Sequence, residues 1–324
     1  MSDEKLLVVT SSPHLKGKRT TRNIMLDVII AMLPALGFAV YHFGIRALVL
    51  TAITVLTCVV SEEFYCRAVK RKSTVYDLSA VVTGILLAFN LPVTMPMWMA
   101  VLGSVFAIVI VKMLFGGIGQ NIVNPALAAR VFLFLSFPSY MTPMQTEISS
   151  KVAGLVNTDV VASATPLAQE NLSLLDLFIG NINGVIGEVS TLCLLIGGIY
   201  LLVRKIIAWQ IPVGYLATVA LISLVATPDG VSVGVNLVMQ LCGGGLMLGA
   251  IYMATDYATS PVTPWGRLIF GIGCGALTMV FRLFSANTEG VSFGILIMNL
   301  LVYYIDRFTQ PRRFGAVKAK KAKA

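Results

Sequence analysis

The stretch Ile45–Phe64, IRALVLTAITVLTCVVSEEF, carries one cation at its start, two carboxylates at its end and an unbroken apolar run between them. At the helical rise of about 1.5 Å per residue such a run crosses the hydrocarbon core of a bilayer, about 30 Å thick. Lipid supplies no water to an open backbone, so a run of this kind crosses as a helix. Comparable runs recur over Ile24–Tyr41, Leu78–Leu91, Met97–Leu114, Ile122–Phe137, Val189–Val203, Trp209–Ala226, Leu237–Ala254, Leu268–Phe284 and Val291–Ile305. The expectation is an all-α integral membrane protein of about ten transmembrane helices.

Composition agrees: hydrophobic residues make up 57% of the 324 residues and charged residues only 12%, too few to coat a soluble globule. The net charge of +9 does not gather into a basic domain, so nucleic acid is excluded as a partner and the lipid bilayer is the expected surroundings. Lys16, Lys18, Arg19 and Arg22, then Arg67 with Lys70–Lys72, then Arg204 and Lys205, Arg267, and Arg307 onward fall on one side of an even span count. The positive-inside rule makes that side the cytoplasm and places both termini there. Only Arg46, Lys151 and the span-edge Arg282 are left for the exterior. The polar segment Met1–Arg22 lacks the apolar core of a signal peptide and is expected to be kept. The five cysteines, Cys58, Cys66, Cys193, Cys242 and Cys274, form no CxxC pair and have no neighbouring His, so they read as packing residues and no metal site is assigned.

Two segments echo each other. Pro92-Val93-Thr94, with Pro96 and Trp98, matches Pro261-Val262-Thr263-Pro264-Trp265, and Leu114-Phe115 matches Leu283-Phe284; 261 minus 92 and 283 minus 114 both give 169. A shared register reads as duplication of a five-span unit. An odd span count per unit turns the copies in opposite directions, the inverted-repeat plan of many transporters. The expected organisation is a cytoplasmic segment over 1–22, a first repeat over 23–138, an exterior loop over 139–187, a second repeat over 188–306 and a basic tail over 307–324. Several helices are expected to be broken, at Leu78–Leu91, Asn121–Ala126, and Gly243-Gly244-Gly245 leading into Asp256, where freed backbone groups commonly hold ligands and ions.

The long exterior loop contains Asp159-Val160-Val161-Ala162-Ser163-Ala164-Thr165-Pro166-Leu167. A threonine preceded by small residues, and kept from helical geometry by the following proline, suits an enzyme that must grip the backbone and attach a phosphoester. An ordinary loop threonine fits that segment equally well by itself. Ionisable residues at membrane depth form a second set of candidates, because each is costly there. Asp256, Glu289 and Arg130 stand out: the carboxylates as candidates for an ion path, and Arg130 either as a counter-charge to a carboxylate or, the better fit, as an internal ion pair with no transport role. Asp27, Asp77, Glu62, Glu63, Lys112, Arg282 and Asp306 lie near span ends, where snorkelling to water accounts for them. No phosphate-cradling P-loop and no dinucleotide fingerprint is present, so neither ATP hydrolysis nor direct NADH oxidation is expected of this chain.

From Arg22 to about Arg313 the sequence resembles the D-subunit family of the Rnf complex, the ion-translocating ferredoxin:NAD oxidoreductase, and more distantly the B subunits of sodium-pumping NADH:quinone oxidoreductases. The resemblance rests on Ser163–Leu167, Gly116–Asn121 with Asn124-Pro125-Ala126, Tyr252–Asp256 with Thr259-Ser260-Pro261, and Glu289–Phe293. It implies FMN bound covalently to Thr165 through a phosphoester, with Ser163 and Asp159 in the motif read by a flavin transferase. Ala162 stands where the family commonly has Ser or Thr. It also implies a second, non-covalent flavin such as riboflavin, for which Asn121, Asn124 and Asp256 are the places to look; a flavin anion is then a second group that Arg130 could balance. Asparagine amides can meet the polar edge of an isoalloxazine, although Asn124-Pro125 equally fits a helix start.

The resemblance makes the chain a redox subunit that passes electrons between ferredoxin and NAD through membrane and peripheral partner subunits, coupled to Na⁺ or H⁺ transport. It would not be catalytic alone, and no catalytic residue is assigned. A secondary transporter working by alternating access is the rival reading; it accounts for broken helices and leaves the Ser-Ala-Thr loop unexplained. A membrane anchor without a redox role is a third.

Overall fold

The computed structural model describes residues 20–141, 178, 184–187, 190–227, 232–285 and 290–311. Among these residues the regular secondary structure is helical throughout. Helix α1 (Thr21–Phe43) opens on Thr20, whose hydroxyl accepts from Asn23 N–H at 3.3 Å. It is separated from α2 (Ile45–Ala68) by Gly44 alone, whose φ of 79° lies in the left-handed region where a side chain would be strained. Then come α3 (Ser79–Phe89), α4 (Met97–Val105), which runs on as a π-helical segment over Phe106–Met113, and α5 (Pro125–Ser136). After the loop follow α6 (Thr191–Val203), α7 (Gln210–Val225), a bent pair α8a (Val233–Cys242) and α8b (Leu246–Met253), α9 (Pro264–Phe284) and α10 (Val291–Thr309).

Among the described residues four helices, α1, α2, α9 and α10, are individually long and apolar enough to cross a membrane, and the bent pair makes a fifth; the other apolar helices there are 10–17 residues long. Large apolar side chains such as Leu56, Val60 and Phe64 on α2 and Ile196, Ile199 and Val203 on α6 point outward, a surface that suits lipid. The chain is a multi-pass helical membrane protein.

Two breaks shape the interior. Helix α3 stops at Phe89 because Pro92 and Pro96 remove donors and push their predecessors toward extended backbone. The carbonyls exposed by this break are collected by Arg46 from α2, whose Nε donates to Val93 O at 2.6 Å and whose Nη2 donates to Thr94 O and Met95 O at 3.2 and 3.1 Å. Residues just ahead of α6 complete the set, with Gly187 N–H donating to Phe89 O at 2.8 Å. The second break is Gly243-Gly244-Gly245, where Gly244 and Gly245 have φ of 65° and 66° and the axis bends by 55°. Arg282 on α9 serves it as Arg46 serves the first: Nη1 donates to Gln240 O at 2.5 Å and Nη2 to Gly243 O at 2.9 Å. Arg282 is therefore turned into the bundle as a cap for free carbonyls, and the snorkelling expected of it does not occur.

Helix pairs pack as α2 with α3 and α4, and as α7 with α8a and α9, while α1 against α6 and α5 against α10 join the two halves. The α1–α6 seam is close because Gly197 has no side chain: a Cβ there would stand 2.1 Å from Ala31 O and 2.0 Å from the Tyr252 hydroxyl. That hydroxyl lies 3.1 Å from both Ala31 O and Leu194 O, so α8b is bonded to the same seam.

Candidate functional site

The first turns of α1, the start of α3, the end of α4 and the two loops 118–125 and 252–258 enclose a cleft of about 780 Å³, its open mouth included. Its walls are largely apolar, with Val28, Val82, Leu86 and Leu201 among them. Its polar groups include Asn121, Asn124, Asp256, Lys112 and Ser79. Three of the residues singled out in the sequence, Asn121, Asn124 and Asp256, are thus brought to one place although 132 to 135 positions separate the last from the other two (256 minus 124 and 256 minus 121).

Their roles differ. Asn124 is the N-cap of α5: its Oδ1 accepts from Ala126 N–H at 3.0 Å and Leu127 N–H at 3.4 Å, with Pro125 at the first helical position. Its Nδ2 donates to Met253 O at 3.2 Å, the carbonyl bared where α8b ends. Each end of that amide bonds to the scaffold. The buried Asn121 amide, by contrast, has no hydrogen-bond partner among the described residues and faces the cleft. Asp256 lies just past α8b, where its carboxylate accepts from Ala258 N–H at 3.5 Å and from the Thr259 hydroxyl at 3.3 Å. Burial pushes its carboxyl above the ordinary value, outweighing these hydrogen bonds.

Lys112 in the cleft wall and its partner Glu62 are charges that the sequence reading assigned to the surface. Glu62 and Lys112 are 0% and 2% exposed. Lys112 Nζ donates to Glu62 Oε2 and to Ser79 Oγ, both at 2.7 Å, and the other Glu62 oxygen accepts from the Thr74 hydroxyl. Snorkelling does not describe this pair: each charge finds its counter-charge inside the bundle, the cheaper course when the nearest water is beyond reach of the stem. Asp27 is likewise inward, accepting from the Tyr200 hydroxyl at 2.8 Å and from Arg204 Nη2 at 3.0 Å. Glu63, bonded to Arg67 at 2.7 Å on the outer face of α2, and Asp306, which accepts from Val262 N–H at 3.1 Å at an exposed position, do fit the surface reading.

Arg130 does not line the cleft. It sits deeper, its Nη1 donating to Asn90 Oδ1 at 2.7 Å, while Asn90 Nδ2 donates to Leu86 O at 2.6 Å and lies 3.6 Å from Met253 Sδ. With the Asn299 amide turned so that its oxygen accepts from Asn124 N–H at 3.2 Å and its nitrogen donates to Thr259 O at 3.1 Å, the ends of α3, α5 and α8b are knotted together at the bundle centre. Asn90 and Asn299 escaped the sequence reading, and Glu62 and Lys112 were placed by it at the surface. Thr165, Ser163, Asp159 and Glu289 lie outside the described residues.

Broken helices that meet around a mixed polar and apolar cleft, inside an apolar bundle, are the marks of a multi-pass helical membrane protein. The chain belongs to the NQR2, RnfD, RnfE family, whose profile matches residues 8–315. It is 49% identical to the D subunit of the Na(+)-translocating ferredoxin:NAD(+) oxidoreductase complex of Acetobacterium woodii, over 98% of each chain. It is 39% identical to the D subunit of the proton-translocating ferredoxin:NAD(+) oxidoreductase complex of Clostridium ljungdahlii, over 96% of this chain and 97% of that one. Identity is also 39% to the D subunit of the ion-translocating oxidoreductase complex of Stutzerimonas stutzeri, over 90% and 91%.

Proposed function

We propose that this chain is the flavin-carrying membrane subunit of an ion-translocating ferredoxin:NAD oxidoreductase, working with partner subunits and moving Na⁺ or H⁺. The observation that carries this reading is the end-to-end likeness to the D subunits of such complexes, at 49% identity over 98% of the chain. The covalent carrier is FMN esterified to Thr165, attached by a flavin transferase that reads Asp159 and Ser163 in the exterior loop. A second, non-covalent flavin occupies the cleft beside Asn121.

The donor set suits that second group. Apolar walls cover the faces of a planar ring, and the unengaged Asn121 amide offers both a donor and an acceptor to its polar edge. Asn124 shapes the cleft through its cap and its bond to Met253 O, and lines it beside Asn121 with a second Nδ2–H left for the ligand. A flavin bound there supplies the capacity to take up and release one or two electrons. Lys112 presents its charge to the cleft while held by Glu62 and Ser79, and Asp256 offers a carboxylate in the cleft wall for a transient proton or Na⁺. Glu289 belongs to the same proposed ion path. Moving one charge costs about 2.3 kcal/mol per 100 mV of membrane potential, a cost that electron transfer from partner subunits must cover.

The proposed architecture is ten spans in two inverted repeats, with both termini in the cytoplasm of a bacterial inner membrane. Support comes from the packing: α1 lies against α6 and α5 against α10, first with first and fifth with fifth, and the α2–α4 contact has its counterpart in α7–α9. The shorter helices cross only with the help of breaks and neighbours, as broken spans do. The same breaks would serve a solute transporter. In-gel ultraviolet fluorescence of the denatured chain from its own host separates the readings: a flavin band that disappears in Thr165→Ala is expected, and absence of fluorescence from the unsubstituted chain would favour the transporter.

A further inference from the structure

Next to the cleft, and sharing Ile206, Ile207, Thr255 and Tyr257 with it, is a second and more polar pocket of about 610 Å³, open to solvent. Two cations face it, Lys205 from the turn after α6 and Arg267 from the first turns of α9. Arg267 Nε donates to Pro261 O at 3.0 Å, but neither its two terminal nitrogens nor Lys205 Nζ has a partner among the described residues. The backbone holds the pocket's shape: the Tyr257 hydroxyl is bonded to Ile206 O, tying the turn after α6 to the loop after α8b. Lys205 itself caps α6 in a left-handed conformation, φ 55°, with Ile206 N–H donating to Leu201 O at 2.9 Å.

Depth identifies the ligand class. Trp209, at the start of α7, and Trp265, in the first turn of α9, are 59% and 73% exposed at the helix ends that contribute Ile211 and Arg267 to the pocket wall. Exposed tryptophans at helix ends mark the level of lipid headgroups. We propose that Lys205 and Arg267, with Ser260 in the same pocket wall, bind a phosphate-ester anion at headgroup depth. Two sources share that chemistry: the headgroup of an anionic phospholipid lodged against the first turns of α7 and α9, and the phosphate of a flavin nucleotide whose ring lies in the adjoining cleft. The second source rests on the flavin reading above, and the first does not.

The test uses the purified, delipidated full chain in neutral detergent, titrated with phosphatidylglycerol, phosphatidylcholine or FMN and followed by thermal unfolding and native mass spectrometry. Lys205→Gln with Arg267→Gln removes both charges and keeps the stems; Lys70→Gln with Arg71→Gln removes equal charge from another loop, Lys70 sharing the left-handed cap geometry. Phosphatidylglycerol is expected to stabilise the unsubstituted chain and to bind about thirtyfold more weakly to the Lys205/Arg267 variant, with the Lys70/Arg71 variant unchanged. The same discrimination with FMN and not with phosphatidylglycerol would keep the site and assign it to the nucleotide phosphate. Equal binding of both probes to all three proteins would overturn the proposal. Should the double variant fail to fold, Lys205→Gln alone, at an exposed side chain, carries the comparison with an expected loss of about fivefold.

Discussion

Replacing Glu62 by Gln leaves the Lys112 ammonium, 2% exposed, with Ser79 as its remaining partner among the described residues. At the 2.7 Å separation of the pair, Coulomb's law with an effective dielectric constant of about 20 gives roughly 6 kcal/mol of attraction. Most of that is offset by the cost of having taken both charges out of water, so the intact pair contributes little net stability while its halves are expensive alone. Glu62→Gln and Lys112→Met are each expected to lose about 3–5 kcal/mol. The double substitution removes both charges and is expected to return to within about 2 kcal/mol of the original, a coupling well beyond the roughly 0.5 kcal/mol scatter of independent sites. The assay is denaturant unfolding of the four proteins in one detergent, followed by far-ultraviolet circular dichroism. Losses that simply add in the double variant would refute the buried pair and return both residues to the surface.

Other consequences follow from single contacts. Gly197→Ala forces a Cβ against Ala31 O and the Tyr252 hydroxyl; a loss at or above the upper end of the usual 1–3 kcal/mol for overpacking is expected, read as a lowered unfolding midpoint. Asn124→Ala removes the α5 cap and the bond to Met253 O, costing about 1 kcal/mol or more, and amide exchange should quicken first at Ala126 and Leu127. Asp256 has its folded pKa raised above 3.8 by burial, so its protonated form is the one the fold favours. The stability this contributes is complete below 3.8 and is lost as pH rises through the raised value. Asp256→Asn should therefore gain on the unsubstituted chain as pH is raised from about 3.8 to 7; a constant difference across that range would contradict the assignment.

The helices were legible because their signals are local. Ile45 and Val291 begin helices where the apolar runs begin, and the breaks at Pro92 and Gly243–Gly245 stand where proline lacks a donor and glycine tolerates positive φ. Helix α5 starts at Pro125 and not at Ile122 because the Asn124 side chain caps it, a cue that the Asn-Pro pair already contained. The π-helical stretch in α4 carries no comparable cue. Within the site, Asn121, Asn124 and Asp256 were readable as polar residues in broken segments. Glu62 and Lys112 were not, because nearness to a span end does not by itself give access to water. A usable signal was present: two opposite charges assigned to the same membrane face, with Lys112 preceded by the apolar run Val105–Val111. Which face of each helix turns inward is a tertiary property, and it decides whether such a lysine snorkels or pairs.

The redox account stands on Thr165 more than on any other residue. Mass spectrometry of the intact chain purified from its own host, followed by peptide mapping, reads that residue directly. The account predicts a mass increase equal to one esterified FMN, carried on the peptide that contains Thr165. An unmodified mass for the whole population would contradict it.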